Sequence, residues 1–205
     1  MEFFSYPDQS VVNRWRTGGM PESEFLKAVG WGGFSFDFYR PQVLAPRVGR
    51  EMVVALNSPR TLTGKVAKSG LDSLSPQERA LLPPQFQIGN SRYFERFKQS
   101  IGHLPDPSKA YNYFVAQSIW DDTMAWQAAD FLKQHPEQAL IIIVGEFHVQ
   151  YGGGLPDRLS ARGIKNISTI SLINVDGMTA QEEATAAQPT DLDGPRADMI
   201  WVTRP

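Results

Sequence analysis

The stretch Gly145–Glu146–Phe147–His148–Val149–Gln150–Tyr151–Gly152–Gly153–Gly154 places a carboxylate, an imidazole and a phenol within six residues, beside glycines. Such groups can hold a metal, move a proton or bind a polar ligand, and glycine lets a ligand approach the main chain closely. The stretch follows the run Ala139–Leu140–Ile141–Ile142–Ile143–Val144. A run apolar at every position reads as a central parallel strand covered on both faces, and open α/β sheets bind ligands at the carboxyl ends of such strands. With the backbone extended past Gly145, Glu146 and His148 project to one side and Phe147 to the other. Pro156 suits the first turn of a following helix through Leu159 and Ala161, whose unpaired N–H groups favour an anion. The plainer reading of GxxH is a hydrogen-bonded structural histidine after a strand, and the local motif alone does not choose between the two.

The other candidate side chains read more simply. His103 and His135 stand in Gly- or Pro-flanked positions and are expected at the surface. Tyr111 and Tyr113, at a helix start, are expected to be core or half-buried aromatics. Asp121 and Asp122 fall mid-helix, normally a solvated face, although Trp120 beside them suggests a polar contact for at least one.

The elements that must position these residues alternate. Residues 1–6 resemble the end of a strand, residues 8–17 a helix, and Pro21–Glu22–Ser23–Glu24 the acidic first turn of another. Residues 50–56 form a strand closed by the turn signal Asn57–Ser58–Pro59. From 61 to 108 the strand signal disappears among prolines and glycines, which predicts a small helical subdomain set into an α/β core of residues 1–60 and 109–205. A long helix is expected from Ser108, its N-cap, to Gln134, with the stripe Tyr113, Gln117, Trp120, Met124 and Phe131. Strands follow at 166–173 and 199–202, with a polar loop over 177–196. The pattern predicts an α/β fold: a mostly parallel sheet flanked by helices, with a small all-helical subdomain.

Composition bounds the function. The 205 residues are 41% hydrophobic and 20% charged, enough for one domain with its own core. Net charge is −2, without the basic surplus of a phosphate binder, so no nucleic acid partner is expected. The absence of cysteine removes thiolate chemistry, Fe–S clusters, disulfides and the lipid-attachment site of a lipoprotein. No apolar run approaches the roughly 18 residues of a spanning helix. Met1–Glu2–Phe3–Phe4 does not read as a signal peptide. The chain as it stands is expected to be unanchored.

Two segments together resemble the ChaN-like haem-binding uptake family, a lipoprotein family related to the Tiki and erythromycin-esterase group. One is Tyr113–Phe114–Val115–Ala116–Gln117–Ser118–Ile119–Trp120–Asp121–Asp122–Thr123–Met124–Ala125; the other is Gly145–Glu146–Phe147–His148 with Tyr151, Gly154, Pro156 and Leu159. Glu2, Ala55–Leu56–Asn57–Ser58–Pro59–Arg60 and Gly70–Leu71 fit in the same order. The resemblance implies bacterial haem and iron uptake in the cell envelope or periplasm, with an outer-membrane haem receptor as a candidate partner. It also implies a homodimer formed on haem binding, two haems face to face, a tyrosine on each iron, and a histidine and a lysine on the propionates. A hard oxygen ligand favours ferric iron, and one axial bond keeps exchange open. By this resemblance Tyr113 or Tyr151 is the iron ligand, with Tyr113 preferred because a helix near the small subdomain suits a dimer pocket. His148, then His103, would reach a propionate. Glu146 and Gln117 line the site, and Lys65, just after the matched segment, is the candidate lysine. A porphyrin-sized cavity is expected between the strand-tip cluster and the long helix. The chain departs from the family by lacking an earlier strand with a second GxxH-type motif, which would expose a sheet edge. The departure also weakens the alternative, a metal-dependent hydrolase using Glu146, His148 and Glu2.

Overall fold

Aromatic rings organise the first fifty residues. The computed structural model describes residues 1–102, 106–190 and 193–204, so His103 lies outside the described residues. Helices α1 (Gln9–Arg16) and α2 (Glu22–Ala28) bury Trp15 and Phe25, whose rings stack 4.3 Å apart. Phe4 and Phe36, the latter just before α3 (Arg40–Leu44), complete this core. Burying one such ring contributes about 1.5–3 kcal/mol.

A run of short helices follows: α4 (Arg60–Ser69), α5 (Pro76–Arg79) and α6 (Ser91–Ser100). The starts of α5 and α6 are fixed locally. Ser75 and Glu78 form a reciprocal capping box for α5, and the Asn90 side chain accepts from the Tyr93 N–H at the start of α6. Both devices satisfy N–H groups that the first helical turn leaves unpaired.

Helix α7 (Ala110–Gln134) is the axis of the molecule. Its N-cap is Lys109, one residue later than expected. The Asp106 carboxylate, not Ser108, caps the short turn before it, accepting from Ser108 N at 3.1 Å. From Phe114 to Ala125 every residue but Trp120 is buried, so the helix is covered almost all round rather than along one stripe. Leu62 and Val66 of α4 pack against Val115, Ala116 and Ile119. On the other flank Met124, Ala125 and Ala128 meet Leu155 and Leu159 of α8 (Leu155–Ala161). No helix among the described residues is long and apolar enough to cross a membrane.

The chain ends in β1 (Ile170–Asn174), α9 (Ala180–Ala187) and β2 (Met199–Thr203). The two strands pair in parallel from Ile170↔Met199 to Asn174↔Thr203, with α9 within the crossover that parallel pairing requires. The α/β class holds, but the ladder is smaller than the sequence suggests. Residues 1–6, 50–56 and 139–144 lie side by side without forming named strands. Met1 donates to Val54 O and accepts from Leu56 N. Glu2 N donates to Ile143 O, and Ser5 makes an isolated parallel bridge with Asn57. The chain bends at residues 2–4, which breaks the ladder after each contact. The expected loop over 177–196 contains α9, nucleated by the capping box of Thr179 and Glu182.

Candidate functional site

The GxxH segment does not stay extended. After Gly145, residues Glu146–His148 wind into a 3-10 turn, with His148 N donating to Gly145 O at 3.1 Å. At three residues per turn, side chains two apart point in different directions. Glu146 and His148 therefore diverge, contrary to the extended-strand expectation.

His148 turns inward and is buried. Its Nδ1 lies 2.6 Å from Asp121 Oδ1 on α7, and its Nε2 lies 3.5 Å from Glu2 Oε1. The other Glu2 oxygen accepts from Gly145 N at 2.5 Å. The other Asp121 oxygen accepts from the Tyr93 hydroxyl at 2.9 Å. Gln117 Nε2 donates to the Tyr93 oxygen at 3.2 Å and also sits 3.0 Å from His148 Nδ1. An Nδ1 proton directed at Asp121 leaves no lone pair there, so this last approach is a packing contact.

The charges follow from this geometry. Burial pushes the His148 pKa down, but the attraction of Asp121 and then of Glu2 outweighs it and raises the value to about 10. The imidazole is a cation at neutral pH. Burial pushes Glu2 up, yet its hydrogen bond and attraction to His148, with the Gly145 N–H, hold it below the usual carboxylate range. Burial, followed by the Asp121 charge, drives the Tyr93 phenol upward, so it remains a neutral donor. The cluster is one cation clamped between two carboxylates. It ties the first segment, α6, α7 and the GxxH turn together, and both ring nitrogens are engaged.

Asp122 is buried as well, pushed up in pKa by burial and pulled down by Arg162, which donates to it at 2.7 Å. Both aspartates are buried rather than on a solvated helix face, while the polar contact expected for at least one of them is made by both. A helix covered on nearly all sides leaves no solvated face for them. The signal was present in the i,i+4 spacing of Gln117 and Asp121, which shares one face. Tyr93, from a distant helix, carried no such signal.

The remaining candidates lie elsewhere. Glu146 points outward to Ser171 Oγ at 2.5 Å and Arg196 Nε at 2.7 Å; burial would raise its pKa, but these partners lower it. Tyr113 is half-buried against the aromatic cluster of Tyr93, Phe97 and Phe114. Lys65 is paired with Glu78 at 2.7 Å within the run of short helices. Tyr151 has a left-handed backbone, φ 58°, and lies under the Arg96 guanidinium, 4.6 Å from its ring centroid. The start of α8 already carries Asp157.

Gly154 locks the turn in place. Its φ is +62°, and a Cβ there would lie 2.8 Å from Tyr93 Oη and 2.9 Å from His148 O. Gly154→Ala is expected to destabilise the fold by at least the roughly 1–3 kcal/mol of left-handed backbone strain. Urea unfolding checks this, and an unchanged midpoint would refute it.

Two concavities among the described residues lie away from the expected position between His148 and the long helix. An apolar groove of about 500 Å³ runs between residues 140–144 and residues 164–172, with Leu140, Ile142, Leu155, Leu159, Ile167 and Leu172 among its walls. A depression of about 400 Å³ with Tyr151 on its wall adjoins it, the two sharing Pro156, Ile167 and Thr169.

A family model described as haem-binding uptake, Tiki superfamily, ChaN matches residues 1–159. No curated protein and no solved structure matches.

Proposed function

From the premise that the chain belongs to the ChaN family of haem-binding uptake proteins in the Tiki superfamily, we propose that it carries haem in the apolar groove, with a tyrosine as axial ligand. The observation behind this reading is the junction of two concavities: an apolar slot of about 500 Å³ opening into a depression walled by Tyr151. Drug-sized ligands occupy pockets of roughly 300–1,000 Å³ lined mainly by apolar groups. A macrocycle with two apolar faces fits such a slot, and a phenol beside it supplies the hard oxygen donor that ferric iron prefers. When bound, haem would supply the iron and its redox chemistry; the protein's part is to hold and release it.

In this reading the His148 cluster is an anchor. Both ring nitrogens face carboxylates, so His148 fixes the turn from which Phe147 and Tyr151 project. Lys65, engaged with Glu78, would need to exchange partners to meet a propionate. Ile141 and Leu172, at the groove, are 83% and 65% exposed. A second copy brought in with haem would cover them, consistent with dimerisation on binding. Residues 61–108 act as the small subdomain, and delivery from an outer-membrane receptor in the cell envelope completes the proposal. The hydrolase alternative loses support because Glu146 turns from His148 towards Ser171 and Arg196.

Hemin titration is expected to give a high-spin ferric spectrum of the tyrosinate type, with sedimentation shifting towards a dimer. A Soret band identical to that of free hemin throughout the titration would overturn the proposal.

A further inference from the structure

Arg96 of α6 is buried, and its Nη2 is sealed from solvent with no hydrogen-bond partner among the described residues. Its surroundings are rings. The guanidinium carbon lies 5.7 Å from the Tyr93 centroid, 5.6 Å from that of Phe147 and 4.6 Å from that of Tyr151. A buried cation with no carboxylate at ion-pair distance among the described residues is costly; the Asp193 charge, acting from farther off, and the aromatic faces offset part of that cost. Phe147 and Tyr151 both belong to the turn that follows Gly145, so Arg96 is the wedge that fastens this turn to α6. Packing is tight: a Cβ on Gly153 would lie 3.1 Å from Arg96 Nη1.

Tyr151 is the residue most constrained by this wedge. Its left-handed φ of 58° is uncommon for a residue with a side chain. Its N–H is held by Arg196 O at 2.7 Å. Such strain persists only where the surroundings over-determine it, and it concentrates at functional positions. Tyr151 also walls the depression beside the apolar groove, whereas Tyr113 packs into an aromatic cluster. We infer that Arg96 is a positioning residue that sets Tyr151, rather than Tyr113, as the iron-facing phenol. The inference rests on the haem reading above and assigns the ligand within it.

The test is hemin titration of the full chain and of Tyr151→Phe, Tyr113→Phe, Arg96→Met and Arg96→Lys, with thermal melts of each apo form. Tyr151→Phe is expected to abolish the tyrosinate signature, and Tyr113→Phe to retain it. Arg96→Met is expected to bind hemin about tenfold more weakly, the equivalent of one cation–π contact, with an altered ligand-field spectrum. Arg96→Lys, which keeps the charge, is expected to recover part of both. Loss of the signature in Tyr113→Phe but not in Tyr151→Phe overturns the inference, as does an unaltered spectrum in both Arg96 variants. If Arg96→Met melts below the assay temperature, the Arg96→Lys spectrum and the tyrosine pair decide. An unmodified chain that takes up no hemin overturns the haem reading itself, a result distinct from the others.

Discussion

Asp121→Ala is expected to destabilise the protein by about 3–5 kcal/mol, the cost of leaving one member of a buried ion pair uncompensated. The carboxylate lies against a buried imidazolium at 2.6 Å and accepts from the Tyr93 hydroxyl at 2.9 Å. Its removal leaves His148 with only Glu2 at 3.5 Å, and leaves a buried phenol without an acceptor. For a chain of this length, 1 kcal/mol moves the melting temperature by roughly 2–4 °C, so a fall on the order of 10 °C is expected. Asp121→Asn should cost less, because an amide oxygen still accepts from one neighbour. The double variant with His148→Asn should be far less destabilised than the sum of the two singles, since each single change leaves the other's charge stranded. A thermal melt of Asp121→Ala within 2 °C of the unmodified chain would show that the cluster does not carry stability.

The cluster also shows what the amino-acid sequence could and could not convey. GxxH at the end of an apolar run marked the segment that carries His148 into the buried ion cluster, because the composition of that segment alone sets it apart. It did not reveal the 3-10 turn, which separates Glu146 from His148 and turns Glu146 towards Ser171 of β1 and Arg196 ahead of β2. The helix α7 was legible in position and nearly in length, since its apolar spacing is local. The burial of Asp121 and Asp122 was not, because it depends on α4, α6 and α8 closing round the helix. The run Ala139–Val144 has strand composition, yet it forms no named strand, and residues 2–4 beside it turn instead of running extended. The capping box of Thr179 and Glu182 was readable at the start of α9, hidden within a polar stretch that otherwise resembles a loop. Tyr93 and Arg96 stand in a region broken by prolines and glycines, where no periodicity marks either residue. Their roles arise only when α6 meets the turn.

Stability is expected to fall as pH rises from 8 to 10, by roughly 1.4 kcal/mol per pH unit, which corresponds to one proton held by the folded state and not by the unfolded one. The group is His148. Its ordinary value of 6.5 is raised to about 10 in the fold, so its contribution is complete below about 6.5 and is lost as pH climbs through 10. The Met1 amine has the opposite slope. Burial lowers it from 8.0 to about 5, so folding gains from its deprotonation between those values and little further above 8. The amine's opposing slope fades within about one unit above 8, so the histidine dominates the decline towards pH 10. Glu2, held low by His148, contributes above its unfolded value of 4.5 and is lost only in acid. Tyr93, driven upward by burial, keeps its proton in the fold, so it begins to lower stability only near and above its unfolded value of 10.0, where the unfolded chain ionises. Urea unfolding at half-unit pH steps should show the decline in the unmodified chain and a much flatter profile in His148→Asn. Equal slopes in the two proteins would mean that the buried imidazole is neutral in the fold, and the ionic clamp on the GxxH turn would have to be replaced by a hydrogen bond between uncharged partners.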